Sequence, residues 1–171
     1  LKPGLRSLKR NTKLKTTRTK AKAFMVFRSL TFQDKDAIAA ILSSRDQSLI
    51  VGVSWTLDSI MEELKGSSYL FGTQRVEGGS LEAFVLFKDL GAVIEILLIY
   101  SDKNAFGAGQ RLLEALKEAN PQIEEVWLEV HEGNQAAIRF YERQGFVKVL
   151  RRSNYYPDGK AALNYNLTLK R

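Results

Sequence analysis

The sequence predicts a mixed α/β domain built on a mostly antiparallel central sheet flanked by helices. Three observations predict it. Three strand-like runs, 68–74, 81–88 and 92–100, follow one another across short connections holding Gly78-Gly79 and Gly91, as hairpins do. A helix over 107–119, with Leu112, Leu113 and Leu116 on one face, then separates these runs from the next strand. The chain closes on 162–169, where Leu163, Tyr165, Leu167 and Leu169 alternate with polar residues as in a strand with one buried face.

Each element has a local cause. Residues 1–22 carry nine basic residues and no acidic one, leaving 17 of the 26 basic residues to balance all 19 acidic ones in the rest. So dense a like charge with so few large apolar residues cannot offset the entropy of ordering, so 1–22 reads as a disordered tail and 23–171 as the domain. Such a tail is either simply solvated or touches RNA, a ribosome or another anionic surface. No apolar stretch follows the charges, so a secretory signal is not expected. Met25 stands where the domain starts, which also makes the tail readable as lying upstream of a start site.

Residues 23–30 read as the first strand. Thr31 and Asp34 are caps for a helix whose apolar stripe is Ile38, Ile41 and Leu42. Thr56 caps a second helix carrying Ile60, Met61 and Leu64, and Trp55 lies between the two helices. Asn120-Pro121 stops the helix over 107–119. In the short strand 126–130, Val126, Leu128 and Val130 share one face, and Trp127 and Glu129 share the other. Asn134 is placed as the N-cap of a helix that runs to Gln144 and ends at Gly145. A strand over 146–150, a loop over 151–160 and the closing strand complete the chain.

Composition excludes several chemistries. At 171 residues the chain suits one domain with a single sizeable core. It has no cysteine, which removes disulfides, thiol catalysis and thiolate metal sites. Its one histidine, His131, makes a histidine-based metal site unexpected, and it reads as a surface or loop residue. No apolar run approaches the ~20 residues of a membrane helix, so a cytoplasmic protein without membrane contact is expected.

Four features carry chemistry, and the residues alone leave two readings of each. The turn Asn104–Gly109 opens a helix, where unpaired N–H groups and the positive end of the dipole suit an anion, and Gly107 and Gly109 let the backbone approach it. It lacks the third glycine of a dinucleotide fingerprint, no parallel crossover is expected around it, and no Gly-Lys-Ser/Thr follows. It reads equally as a plain loop-to-helix junction. Glu129 is either solvated on a sheet edge or a base in a polar cleft. Tyr141 is either a core aromatic or a phenol, pKa ~10, able to protonate a thiolate. Trp55, Tyr155 and Tyr156 either pack locally or wall a ligand cleft.

In combination these residues are more specific. Residues 25–169 resemble the GCN5-related N-acetyltransferase (GNAT) superfamily, and within it the ribosomal-protein-alanine N-acetyltransferases of the RimI type. The resemblance lies in Phe106-Gly107-Ala108-Gly109 with its leucine helix, in LEVHEGNQAAIRFYERQGF (128–146) and in RRSNYYPDGKAAL (151–163). It implies the GNAT fold, and acetyl transfer from acetyl-CoA to an amine by direct attack, without a metal. The implied acceptor is the N-terminal α-amine of a protein such as a ribosomal protein. The backbone of Leu97, Leu98 and Ile99 would hold the acetyl-pantetheine arm, with the Ile99 N–H facing the developing oxyanion. The backbone of Ala105, Phe106, Gly107, Ala108, Gly109 and Gln110 would cradle the pyrophosphate, and Asn134 would contact acetyl-CoA. Glu129 matches the general base and Tyr141 the proton donor to the CoA thiolate. Trp55, Tyr155 and Tyr156 match walls of the peptide cleft. Asn104 stands where the family usually has Gln or Arg, Phe106 where it has a polar or basic residue, and His131 where Arg is common. The alternatives are an acetyltransferase for a small amine or for lysine, and a non-catalytic RNA- or ribosome-binding module.

Overall fold

The structure, a computed structural model, describes residues 25–44, 55–75 and 79–169. The basic tail 1–22 and the apolar stretch 49–54 lie outside the described residues. The strands are β1 (Met25–Ser29), β2 (Ser68–Arg75), β3 (Leu81–Asp89), β4 (Val93–Ser101), β5 (Glu125–His131), β6 (Val147–Arg152) and β7 (Ala162–Thr168). The α-helices are α1 (Lys35–Ser43), α2 (Leu57–Lys65), α3 (Ala108–Ala119) and α4 (Gln135–Arg143).

The helices begin where the caps predict. Thr31 accepts from the Gln33 N–H, while Asp34 accepts from the Thr31 N–H at 2.8 Å, closing a capping box on the short 3₁₀ turn that leads into α1. Thr56 and Ser59 close a second box at the start of α2. Asn134 Oδ1 accepts from the Ala137 N–H at 3.1 Å and caps α4. That helix ends at Gly145, whose φ of +88° is a conformation glycine adopts without strain.

The strands form one seven-stranded sheet in the order β1-β2-β3-β4-β5-β7-β6. Every neighbouring pair is antiparallel except β4 and β5, which are parallel. This corrects one expectation. A crossover does surround the glycine turn, because α3 carries the chain from β4 to its parallel neighbour β5. The hairpins β2–β3 and β3–β4 supported the expected mostly antiparallel sheet but gave no sign of where its parallel pair lies. The parallel pair depends on contacts across 32 positions, as from Val93 to Glu125, that leave no local mark.

Two apolar cores lie on the two faces of this sheet. On one face α1 and α2 press Ile38, Ile41, Leu42 and Ile60 onto Leu70, Phe84, Leu86 and Tyr100. On the other, α3 and α4 pack Leu112, Leu113, Leu116, Ile138 and Tyr141 against β3, β4, β5 and β7. The closing strand buries Leu163 and Tyr165 there, as its alternation predicts. β6 runs two residues further than expected, because Arg151 and Arg152 pair with Leu163 and Ala162 of β7. No helix among the described residues is long and apolar enough to cross a membrane.

Candidate active site

The sheet opens in its middle. The parallel pairing of β4 with β5 runs from Val93↔Glu125 to Ile96↔Leu128 and stops. β4 continues against β3, and β5 against β7. The cause is a bulge: Phe87 pairs with Ile96 and Leu86 with Leu98, so Leu97 is the extra residue. A bulge bends its strand and increases the twist, which takes β4 away from β5 at this point. Beyond it, Leu97, Leu98 and Ile99 on one side and Glu129–His131 on the other border a notch across which no strand pairing is formed. The bulge also turns both Leu97 and Leu98 toward the α1–α2 core, while Ile99 packs toward α3 and α4.

Glu129 is the first residue of β5 past that opening. Its neighbours Leu128 and Val130 are buried, and its own side chain is 26% exposed on the opposite face, as the strand period requires. Three side chains converge on the carboxylate. The Tyr156 hydroxyl donates to Oε1 at 3.4 Å, Asn164 Nδ2 donates to Oε2 at 3.4 Å, and the Arg152 guanidinium forms an ion pair with Oε2. Asn164 is there because it lies directly opposite Glu129 in the β5–β7 register. Arg152 also lies 4.2 Å over the Tyr155 ring. The structure thus gathers Glu129, Tyr155 and Tyr156 into one cluster.

His131 is not the surface residue expected. It ends β5 and is 3% exposed. Its Nδ1 accepts from the Gly133 N–H at 2.9 Å, so the ring proton is on Nε2 and is donated to Asp158 at 3.0 Å. The ring packs on Tyr156 at 4.6 Å between centroids. His131 and Asp158 therefore hold the aromatic loop against the sheet. The Lys160 N–H, and then His131, hold the Asp158 carboxyl below the usual carboxylate range. Glu132 anchors the far end of the same loop by accepting from Ala161 N–H and Arg151, and these bonds hold its carboxyl low as well.

Tyr141 lies on the other face of the sheet. It is 8% exposed and meets Phe140 and Phe146 edge-on at 5.3 and 5.6 Å. It is a core aromatic, and its hydroxyl makes no hydrogen bond among the described residues. Burial pushes the phenol up to about 12. Glu129 and Tyr141 thus stand on opposite faces, and only an opening in the sheet lets one ligand meet both sides.

The glycine turn lies past the end of β4. The N–H groups of Ala108 and Arg111 are satisfied by Ala105 and Gly107. Those of Gly107, Gly109 and Gln110 have no protein partner among the described residues. Gly107 sits at φ +72° as the N-cap of α3. Three free donors at the head of a 12-residue helix suit a pyrophosphate. Asn104 is exposed, and Phe106 is 88% exposed. Gly109 faces Phe140 of α4, where a Cβ would make an ordinary contact at 3.5 Å. Asn134 uses its Oδ1 as a cap, which leaves Nδ2 for a ligand. Trp55 is half-buried against the α1–α2 core, with Leu57 and Met61 in that cluster.

Sequence reasoning missed Arg152 and Asn164. Asn164 comes to Glu129 through the β5–β7 register, which no local pattern announces, and Arg152 was not expected there because the loop was expected to start at residue 151. It also missed Glu82 and Arg111, which meet beneath the glycine turn at 3.2 Å.

An anion-binding turn, a half-opened sheet and a carboxylate at the opening together define a class, the acyl-CoA-using N-acyltransferases. Residues 39–146 match the acetyltransferase (GNAT) family. The [ribosomal protein bS18]-alanine N-acetyltransferase of Escherichia coli (strain K12) is 33% identical over 102 residues, covering 56% of this chain and 68% of that protein. The N-alpha-acetyltransferase of Sulfurisphaera tokodaii is 35% identical over 107 residues, covering 58% of this chain and 62% of that protein. The crystal structure of the Escherichia coli ribosomal-protein-S18-alanine N-acetyltransferase superposes with a TM-score of 0.70 at 26% identity, over 86% of this chain and 95% of the other. This chain belongs to the GNAT acetyltransferase family, and it is an N-acetyltransferase that uses acetyl-CoA.

Proposed function

We propose that the chain acetylates the N-terminal α-amine of a protein, with Glu129 as general base and Tyr141 as the hydroxyl that meets the departing sulfur. One observation carries the reading: β4–β5 pairing ends at Ile96↔Leu128, one residue before Glu129. A ligand lying in the notch is then open to Glu129 on one face and to the α4 side, where Tyr141 stands, on the other. In this reading the backbone of Leu97, Leu98 and Ile99, past the end of the β4–β5 pairing, holds the acyl arm on its β5 side. The free N–H groups of the Ala105–Gln110 turn hold the pyrophosphate, and Asn134 Nδ2 adds a contact. Tyr155 and Tyr156, fixed by His131 and Arg152, wall the acceptor side. Trp55 belongs to that wall only at its edge, since its packing is mostly with the core.

Acetyl-CoA supplies the activated thioester. Glu129 takes a proton from the amine as its nitrogen bonds to the acetyl carbon. The carbon–sulfur bond breaks, and the Ile99 N–H supports the oxygen that carries charge between those events. Tyr141 keeps its proton at every physiological pH. A phenol near 12 gives that proton to a thiolate near ~8.5 only at a cost of about 5 kcal/mol. Its hydroxyl therefore acts first as a hydrogen-bond donor to the developing thiolate. An α-amine, pKa ~7.7–8.0, is partly neutral at pH 7, whereas lysine near ~10.4 is not. That difference, together with the relatives named for α-amine acetylation, favours a protein N-terminus such as that of a ribosomal protein, and a cytoplasmic site of action.

The test incubates the full chain with acetyl-CoA and peptides that differ only in their first residue, each with an internal lysine. Mass spectrometry then locates the acetyl group. Acetyl on the α-amine, with preference for a first residue such as Ala, is the expected result. Acetyl on lysine, or on small amines alone, overturns the acceptor class. Binding of RNA without turnover of any amine overturns the enzyme reading of the site.

A further inference from the structure

We infer that Glu82 and Arg111 form a brace that sets the shape of the phosphate-binding turn, and so act as positioning residues for acetyl-CoA. The inference rests on the reading that this turn holds the pyrophosphate. Arg111 lies in the first turns of α3, and its guanidinium reaches back under the turn. Nη1 donates to the Phe106 carbonyl at 2.9 Å, and Nη2 donates to Glu82 Oε2 at 3.2 Å. Glu82 is 6% exposed on β3. Its own backbone carbonyl accepts from the Asp102 N–H at 2.8 Å, where the chain leaves β4. Residue 82 thus holds the turn at both ends, by its backbone at the entry and through Arg111 at the exit.

The chemistry gives the brace a purpose. A turn binds an anion when its N–H groups face the anion and its carbonyls do not. The Phe106 carbonyl precedes the first free N–H of the turn, at Gly107. Arg111 draws this oxygen to the guanidinium side, and the left-handed Gly107 then directs the following amides outward. The fit is close, since a Cβ on Gly107 would stand 3.1 Å from Arg111 Nη1. The Arg111 guanidinium is partly buried, with its Nε fully buried and unpartnered among the described residues. It is spent on the turn and on Glu82 rather than offered to a phosphate.

The experiment measures KM for acetyl-CoA and for acetyl-pantetheine, which carries the thioester without the pyrophosphate. The wild type, Glu82→Gln and Arg111→Lys are compared over the whole 171-residue chain, with a thermal melt of each. Lysine keeps the charge but cannot span both partners. Glu82→Gln keeps Arg111 but weakens its anchor. The brace predicts that both variants raise KM for acetyl-CoA about tenfold, since charged hydrogen bonds are lost. KM for acetyl-pantetheine should change by less than about twofold, which also shows that the variants are folded. If Arg111→Lys and Glu82→Gln retain wild-type KM for acetyl-CoA, the brace is overturned and Arg111 is at most a charge near the phosphates. Equal losses on both thioesters also overturn it, as general damage. A wild type that uses both thioesters with the same KM instead refutes the turn as the pyrophosphate site, and the brace falls with it.

Discussion

Glu129 and Tyr141 stand on opposite faces of one sheet, so their substitutions are expected to fail differently. Glu129→Gln should keep acetyl-CoA binding, measured by calorimetry, while turnover falls by about 10²–10⁴, the usual worth of a general base. The rise of rate with pH should flatten as well. Unchanged turnover would remove Glu129 from the base role. Tyr141→Phe removes one oxygen from a site walled by Phe140 and Phe146, so the fold should hold to within about 1 kcal/mol. Turnover should fall with little change in CoA affinity. The same variant has a signature at high pH. The phenol ionises near 10 in the unfolded chain but only at about 12 when folded. Its contribution to stability is therefore full below pH 10 and lost as pH rises toward 12. Urea melts across that range should show a shallower alkaline decline for Tyr141→Phe than for wild type. The identity of both residues was legible in the sequence. The partners of Glu129 were not.

At the scale of elements, capping shows how far local reading reaches. Asp34 was legible as a cap from its place before the Ile38, Ile41 and Leu42 stripe. Its strongest partner was not. Arg28 of β1 grips it with two hydrogen bonds, at 2.6 and 3.1 Å, and this guanidinium, assisted by the Thr31 N–H, holds the carboxyl below its ordinary range. A depressed carboxylate contributes fully above its unfolded value, near ~3.9, and loses that contribution as pH falls through the lower folded value. Asp34→Asn should therefore cost about 1–2 kcal/mol at pH 7, part of the pair being screened because Arg28 is 34% exposed. The difference should vanish in melts at the acid end of the range. An undiminished difference there would mean that the loss is in packing, not charge. The end of β6 shows the opposite limit: residues 151–152 read as loop by composition, yet pairing with β7 made them strand and delivered Arg152 to Glu129.

For the whole molecule, one sheet separates two cores, and this predicts independence. Ile38→Val lies in the α1–α2 core and Ile96→Val in the α3–α4 core. Each should cost about 1 kcal/mol, and the double variant should equal their sum within about 0.5 kcal/mol by urea denaturation. A larger coupling would mean that the sheet transmits strain between its faces. The sequence by itself determined the class of fold, nearly every element, the caps, the glycine turn and the two residues on which the proposed chemistry rests. The elements, caps and turn follow from periodicity, capping and turn chemistry, all written within a few residues, whereas the two residues were singled out only by the resemblance. Only the tertiary structure decided that β4 and β5 run parallel and part at the Leu97 bulge. It alone showed that Tyr156 and Asn164 reach Glu129 from 27 and 35 positions away, and that Glu82 meets Arg111 across 29. These are contacts between side chains on different strands, loops and helices. Their spacing follows loop lengths and strand register rather than any helical or strand period, so no stretch of sequence announces them.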